Sequence, residues 1–239
     1  MPKNKRNLEN TIDWVEDSIP RSVQFDDTYY SKADGMAETH HVFINGNHLP
    51  GRWPNMPSCT IAELGFGTGL NFLVTAMEWQ RHAAPASTLE FISFEQYPIS
   101  AAVMRKALSR WPQLNRQKEL LCNAWAAAAP DEIVLFELQY NAQIRLSVHI
   151  GDANRLLPKL SLKADAWYLD GFSPAKNPQL WNEPLMQAVA ERTIPGGTFA
   201  TYTSAGLVRR NLQAAGFKVS KIAGHGGKRE MSVGVKVPK

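Results

Sequence analysis

The run Ile61-Ala62-Glu63-Leu64-Gly65-Phe66-Gly67-Thr68-Gly69-Leu70-Asn71 constrains the fold more than any other part of the chain. A β-type stretch, Cys59 to Leu64, meets three glycines at alternate positions, and Leu70 to Trp79 then has helical character. Strand, glycine turn and helix in that order form a nucleotide-type binding loop. Glycine suits a backbone that must turn with positive φ and admit a ligand without a Cβ clash. The dinucleotide fingerprint G-x-G-x-x-G is not met, because Leu70 stands where its third glycine belongs. The pattern is E-x-G-x-G-x-G. A pyrophosphate at the helix N-terminus would be repelled by Glu63, whereas a ligand carrying positive charge would not.

Short apolar runs follow at Leu89–Phe94, Ala166–Leu169 and Thr198–Thr203, separated by helical stretches such as Ser100–Trp111 and Glu183–Thr193. This alternation predicts a mostly parallel sheet with helices on both faces. Ile133–Tyr140 and Gln143–Ile150, joined at Asn141-Ala142, read as an antiparallel pair, as do Lys218–Ala223 and Glu230–Val237. His40 to Leu49 alternates weakly around Asn45-Gly46, a hairpin signal. The expected organisation is an N-terminal extension with a hairpin, residues 1–57, packed on a Rossmann-like domain, residues 58–239. Residues 1–20 lack a clear period and are expected to be partly mobile.

At 239 residues the chain can bury an ample core without staples. Cys59 and Cys122 have no metal-ligand spacing and read as reduced core thiols, which suits a cytoplasmic protein. The six histidines show no metal or triad spacing, and no metal is expected. No secretory signal and no apolar stretch of membrane-spanning length is evident. The net charge of +4 is uneven: from Ala205 to Lys239 there are eight Lys/Arg and one acid. A basic segment on a slightly acidic body suits either a polyanion contact or a solvated surface.

In open α/β sheets, ligands bind beyond the carboxyl ends of the strands near the topological switch point. Four acids fall at or near such ends: Glu63, Glu95, Asp152 and Asp170. Glu95 can accept both ribose hydroxyls, and Asp152, in Gly151-Asp152-Ala153, can accept from an adenine amino group. Glu95 and Asp152 equally suit helix N-caps, and Asp170 a turn at Gly171. The four acids in step with the glycine loop read as a nucleoside site, and the loop reads as that of S-adenosylmethionine, whose ammonium and sulfonium tolerate Glu63.

The stretches 63–72, 93–98 (Ser-Phe-Glu-Gln-Tyr-Pro) and 169–178 (Leu-Asp-Gly-Phe-Ser-Pro-Ala-Lys-Asn-Pro) resemble the tRNA 5-methylaminomethyl-2-thiouridine methyltransferases. So do Phe25–Ser31, 203–210 and 227–231, so the likeness runs from about Val23 to Val235. Its rarest element is D-G-F-x-P-A-K-N-P. The resemblance implies a Rossmann-like class I fold, S-adenosyl-L-methionine as methyl donor, and N-methylation of the 5-aminomethyl group of a wobble 2-thiouridine in tRNA. It implies cofactor contacts from Glu63, Leu64, Gly65, Gly67, Gly69, Asn71, Glu95, Gln96, Gly151, Asp152, Ala153 and Asp170, with Asp170 catalytic. It also implies target contacts from Tyr30, Phe172, Pro174, Lys176 and Asn177, and the basic residues Arg209, Arg210, Lys228 and Arg229 suit the tRNA backbone. In this family the module stands alone or is the N-terminal half of an enzyme whose second half is an FAD-dependent oxidoreductase. With no second glycine fingerprint, this chain is expected to perform methyl transfer alone, the oxidoreductase coming from a fused domain or a separate protein. Competing readings are a methyltransferase of the same fold acting on a small amine or a protein, an aminopropyltransferase, and a non-catalytic RNA-binding module.

Overall fold

The computed structural model describes residues 11–129, 133–141, 143–227 and 229–238. Expectations for residues 1–10, for Ala142 in the predicted turn, and for Lys228 lie outside them. The chain begins with a three-stranded antiparallel sheet: β1 (Ile12–Val15), β2 (Ile19–Ser22) and β3 (Asp27–Thr28). Short helices α1 (Gly35–Glu38) and α2 (Leu49–Arg52) flank a π-helical segment, Thr39–Asn45. The core then runs β4 (Ser58–Leu64), α3 (Leu70–His82), β5 (Thr88–Glu95), α4 (Ala101–Ala107), α5 (Asn115–Ala128), β6 (Leu135–Gln139) and β7 (Ile144–Ile150). It continues with α6 (Ala153–Leu156), β8 (Ala164–Leu169), α7 (Glu183–Glu191), β9 (Thr193–Thr201), α8 (Gly206–Ala214), β10 (Phe217–Ala223) and β11 (Glu230–Lys236).

Eight of these strands form one sheet in the order β10-β11-β9-β8-β4-β5-β7-β6. The central strands β9, β8, β4, β5 and β7 are parallel, and β6, β10 and β11 are antiparallel additions. The chain leaves β4 to lay β5 and β7 on one side and returns to lay β8 and β9 on the other, so the switch point falls at the carboxyl end of β4. Two apolar layers sandwich the sheet. One gathers Phe72, Trp79, Trp125 and Tyr168, and the other Trp167, Trp181, Met186 and Phe199.

The Asn45-Gly46 hairpin is not formed. Val42, Phe43 and Ile44 are buried consecutively, which no half-exposed strand allows, and Gly46 has a right-handed φ of −60° instead of the positive φ that a type I′ turn needs. Gly46 instead permits close packing: a Cβ there would stand 2.1 Å from Val42 O and 2.8 Å from Ala200 Cβ. The hairpin of the N-terminal region lies earlier, at Ile12–Ser22, within the stretch expected to be partly mobile. β9 also begins five residues before its predicted start, through Pro195-Gly196-Gly197, and the pairing with β8 absorbs these breakers as a register shift between Ala164 and Ala166.

Candidate active site

At the switch point the strand ends surround a cleft of about 570 Å³, within the usual range for small-molecule sites. β4 delivers the glycine turn. Gly65 and Gly67 take φ of +84° and +54°, and a Cβ would stand 3.2 Å from Gly171 Cα and 3.1 Å from Tyr29 Cδ1 respectively. Both conformation and space therefore require glycine. Backbone bonds stitch the turn to its neighbours: Gly65 N–H donates to Phe94 O (2.9 Å) and Gly151 N–H to Glu95 O (2.7 Å).

Glu95, closing β5, lines the cleft and is 9% exposed. Its two carboxylate oxygens accept from Gly67 N–H (2.8 Å) and Tyr97 N–H (2.7 Å), so it caps no helix. Burial raises its pKa, and these backbone donors oppose the shift. Gln96, Gly151 and Ala153 complete that wall. Asp152 itself caps α6, its Oδ1 accepting from Asn154 N–H at 2.9 Å, while its neighbours line the cleft. Leu64 is buried in the core beneath the turn, and Gly69 stands at the N-terminus of α3 in the left-handed conformation.

Asp170, following β8, lines the cleft opposite. Its Oδ1 accepts from Gly171 N–H and its Oδ2 from Asn71 Nδ2, both at 2.8 Å. Glu63 stands behind this wall, fully buried. Its oxygens accept from Asn71 Nδ2 (2.9 Å) and the Ser93 hydroxyl (2.6 Å), and burial pushes its pKa up to about 8. The carboxylate placed by the sequence beside a ligand's ammonium thus meets the cleft through Asn71.

The far wall comes from the N-terminal region. Phe25 stacks on Phe172 with centroids 4.7 Å apart, and Tyr29 (5.1 Å from Phe172) and Tyr97 (5.5 Å from Phe25) meet them edge-on. Ser173 N–H donates to Asp27 Oδ2 (3.0 Å), Lys176 pairs with Asp26 (3.7 Å), and the Tyr202 hydroxyl donates to Gly171 O (2.9 Å). Phe172 and Asn177 line the cleft; Lys176 lies on an adjoining groove with Arg21 and Lys32, and Pro174 is half-buried in the same loop. Tyr30 contributes to the wall, but its hydroxyl sits 2.8 Å from Ser18 O and 2.9 Å from Ala107 O, and its ring packs edge-on to Trp111. Its ring is therefore committed to packing, and Tyr29 and Phe172 line the cleft beside it.

Arg209 and Arg210 lie on α8, and Arg229 is exposed beside the turn whose Gly226 lines the cleft mouth. Phe25, Tyr29, Tyr97, Thr39 and Tyr202 were not singled out by site chemistry. For Phe25 and Tyr29 the available signal was their place in the Phe25–Ser31 stretch. Among the described residues no cluster could hold a metal ion, and no helix is long and apolar enough to cross a membrane.

Comparisons with known proteins agree with this geometry. An S-adenosyl-L-methionine-dependent methyltransferase family model matches residues 112–237. The chain is 44% identical over 227 residues to the tRNA 5-methylaminomethyl-2-thiouridine biosynthesis bifunctional protein MnmC of Methylobacillus flagellatus, covering 94% of this chain and 34% of that protein. Against the protein of the same name from Stutzerimonas stutzeri it is 43% identical over 224 residues, 92% of this chain and 34% of that one. The chain thus spans about a third of the length of the curated relatives it matches. Among solved structures, MnmC2 from Aquifex aeolicus superposes with a TM-score of 0.72 at 25% identity, covering 92% of this chain and 68% of that one. The glycine turn opens the cleft where side chains are missing, and the carboxylates of Glu95 and Asp170 line it. A Rossmann-like fold, a glycine cradle at its switch point and the family match converge: the chain belongs to the S-adenosyl-L-methionine-dependent methyltransferases.

Proposed function

We propose that the chain N-methylates the 5-aminomethyl group of 5-aminomethyl-2-thiouridine at the wobble position of tRNA, giving 5-methylaminomethyl-2-thiouridine. The names of the relatives support the pathway, and the sequence motifs at 63–72, 93–98 and 169–178 support the reaction. The observation that carries the reading is a cleft whose lining joins a carboxylate, Asp170, to the aromatic rings of Phe172 and Tyr29, with Phe25 stacked on Phe172.

Glu95, with one donor already on each oxygen, retains acceptor capacity for a ribose diol. Gly65, Gly67, Gln96, Gly151 and Ala153 would hold the rest of the nucleoside, with Asp152 fixing the turn that presents the last two. S-adenosylmethionine supplies a methyl group made electrophilic by its sulfonium. The target amine must be neutral to attack: its lone pair forms the N–C bond as the C–S bond breaks and that pair passes to sulfur. Asp170 orients the amine, balances the charge developing on nitrogen, and accepts the proton released. Alignment within the cleft supplies further acceleration, since effective molarities reach about 10⁵ M or more. Phe172, with Phe25 and Tyr29, would flank an unstacked base, Asn177 and Pro174 would shape the rim, and Lys176 would face its backbone. Arg209, Arg210 and Arg229, with Lys228, would meet phosphates farther out. The amine substrate requires an earlier step, assigned here to an FAD-dependent oxidoreductase on a fused domain or separate protein, in the cytoplasm.

The test incubates the chain with labelled S-adenosylmethionine and tRNA bearing the 5-aminomethyl nucleoside, then digests to nucleosides. Label in 5-methylaminomethyl-2-thiouridine is expected. Label transferred only to free amines or protein, or none at all, would reject the reading.

A further inference from the structure

Behind Asp170 lies a chain of buried polar groups with one amide at its centre. Asn71, the second residue of α3, donates one Nδ2 hydrogen to Asp170 Oδ2 (2.8 Å) and points the same nitrogen at Glu63 Oε1 (2.9 Å). Its Oδ1 accepts from the Thr39 hydroxyl at 2.7 Å, a hydroxyl also 3.1 Å from Gly35 O. Ser93 closes the far end, donating to Glu63 Oε2. Thr39, Glu63 and Ser93 are at most 1% exposed. An amide has two N–H donors on one side and an acceptor on the other. Turned the other way, it would set its oxygen between two carboxyl groups and leave the Thr39 hydroxyl facing an NH₂.

The three partners of Asn71 come from separate places, the π-helical segment, β4 and the end of β8, and β5 supplies Ser93 behind Glu63. An asparagine serving only its own helix would bond to nearby backbone, as Asn182 does when it caps α7. We infer that Asn71 is a positioning residue for methyl transfer: it fixes Asp170 Oδ2 in the cleft wall, and Thr39 and Glu63 fix the direction of its amide. Burial of Glu63 favours its neutral form near pH 7, so the wall then carries the charge of Asp170 without a second one behind it. Donors on both oxygens of Asp170 hold its carboxyl group from two sides of the wall. This inference rests on Asp170 being the group that receives the amine.

The test measures single-turnover methyl transfer against pH, together with the dissociation constant of S-adenosylmethionine, on the full chain with tRNA bearing the aminomethyl nucleoside. Loss of one charge-assisted donor in Asn71→Ala should slow transfer by roughly 10-fold or more and move the acid limb of the profile to higher pH, because Asp170 then holds its proton longer. The cofactor's dissociation constant should change by less than about threefold, well short of one lost hydrogen bond. Thr39→Val should shift the limb the same way by a smaller amount, and Glu63→Gln, which keeps an acceptor for Asn71, should retain more rate than Glu63→Ala. Rate and cofactor affinity falling in step, with the limb unmoved, would make Asn71 a cofactor ligand and overturn the inference. Where Asn71→Ala does not fold, an unmoved limb in Thr39→Val overturns it instead. Asp170→Asn separates the two levels. The substrate amine titrates in that variant too, so the limb is compared by its position: a limb left where the parent has it rejects Asp170 as a contributor, and the inference with it. A limb displaced there but unmoved in Asn71→Ala and Thr39→Val rejects only the positioning role.

Discussion

The two walls of the cleft are built in opposite ways. The wall formed by β4, β5 and β7 is assembled from strand ends, each held by parallel pairing, with the glycine turn hydrogen-bonded to Phe94 and Gly151 to Glu95. Its functional groups sit at fixed places in a regular pattern. The opposite wall joins residues 25–29 to the loop after β8 through two aromatic contacts, a backbone-to-carboxylate bond and an ion pair. Those contacts link positions about 146 apart in sequence. The first wall is part of the sheet, and the second is a clasp laid across it. Under the proposed function the difference separates two binding tasks: a small nucleoside recognised by a rigid frame, and a large nucleic acid that must reach the same methyl group.

The sharpest way to break this division is Asp170→Asn, which keeps shape and removes charge. Under the proposed reaction, single-turnover methyl transfer should slow by about 10²–10⁴-fold while both ligands still bind, and raising the pH should recover part of the loss as more amine becomes free. An unchanged rate with weakened cofactor would move Asp170 to the rigid wall. Next in size is Glu95→Ala, which removes a charge-assisted ribose acceptor worth roughly 1.5–3 kcal/mol, or about 10–100-fold in cofactor affinity by calorimetry. Because Glu95 also serves two backbone N–H groups, melting temperature should fall by several degrees, at roughly 2–4 °C per kcal/mol. A collapse in melting temperature with affinity unchanged would make Glu95 a strut and nothing more.

Smaller effects sharpen the contrast. Glu63 titrates near pH 8 in the folded chain against an ordinary value of 4.5, so the folded state holds the extra proton between these values and loses stability as pH rises through them. Glu63→Gln should therefore melt with a shallower pH dependence than the parent across that window, by up to a few kcal/mol at 1.36 per pH unit. Parallel melting curves for the two proteins would contradict it. Phe25→Ala removes an aromatic pair worth about 0.5–1.5 kcal/mol. It should raise the KM for tRNA up to about tenfold and leave cofactor affinity unchanged, and a change in cofactor affinity alone would dissolve the distinction between the walls.

This contrast also explains what the sequence revealed. The strand–glycine–helix run, the acids after β5, β7 and β8, and the antiparallel additions were legible because each is a local pattern with a local cause. Asn45-Gly46 misled because the same dipeptide serves a hairpin through positive φ and a helix through the absence of a Cβ. The apolar run Thr198–Thr203 falls short of β9 because the bulge that carries Pro195-Gly196-Gly197 into the strand depends on β8. Phe25 and Tyr29 acquire meaning only when Phe172 is brought to them, and the bridging role of Asn71 only when Thr39, Glu63 and Asp170 converge. Asp152 shows the reverse: its place was legible, and its side chain is occupied in capping α6.

The stack of Phe25 on Phe172 bears on how the fold comes apart. A contact that closes a loop of this length gains little until the sheet beneath it is formed. It is therefore among the last to assemble, and residues 23–28 can release Phe172 while β4, β5 and β8 keep every pairing and Tyr30 stays bonded to Ala107 O. Amide hydrogen exchange should register this as a separate unit, with segment 23–28 exchanging through small openings and the central strands only through global unfolding. Equal protection in both would show that the clasp and the sheet open together. Under the proposed function, a door of this kind makes access of a bulky substrate a property of one long-range contact.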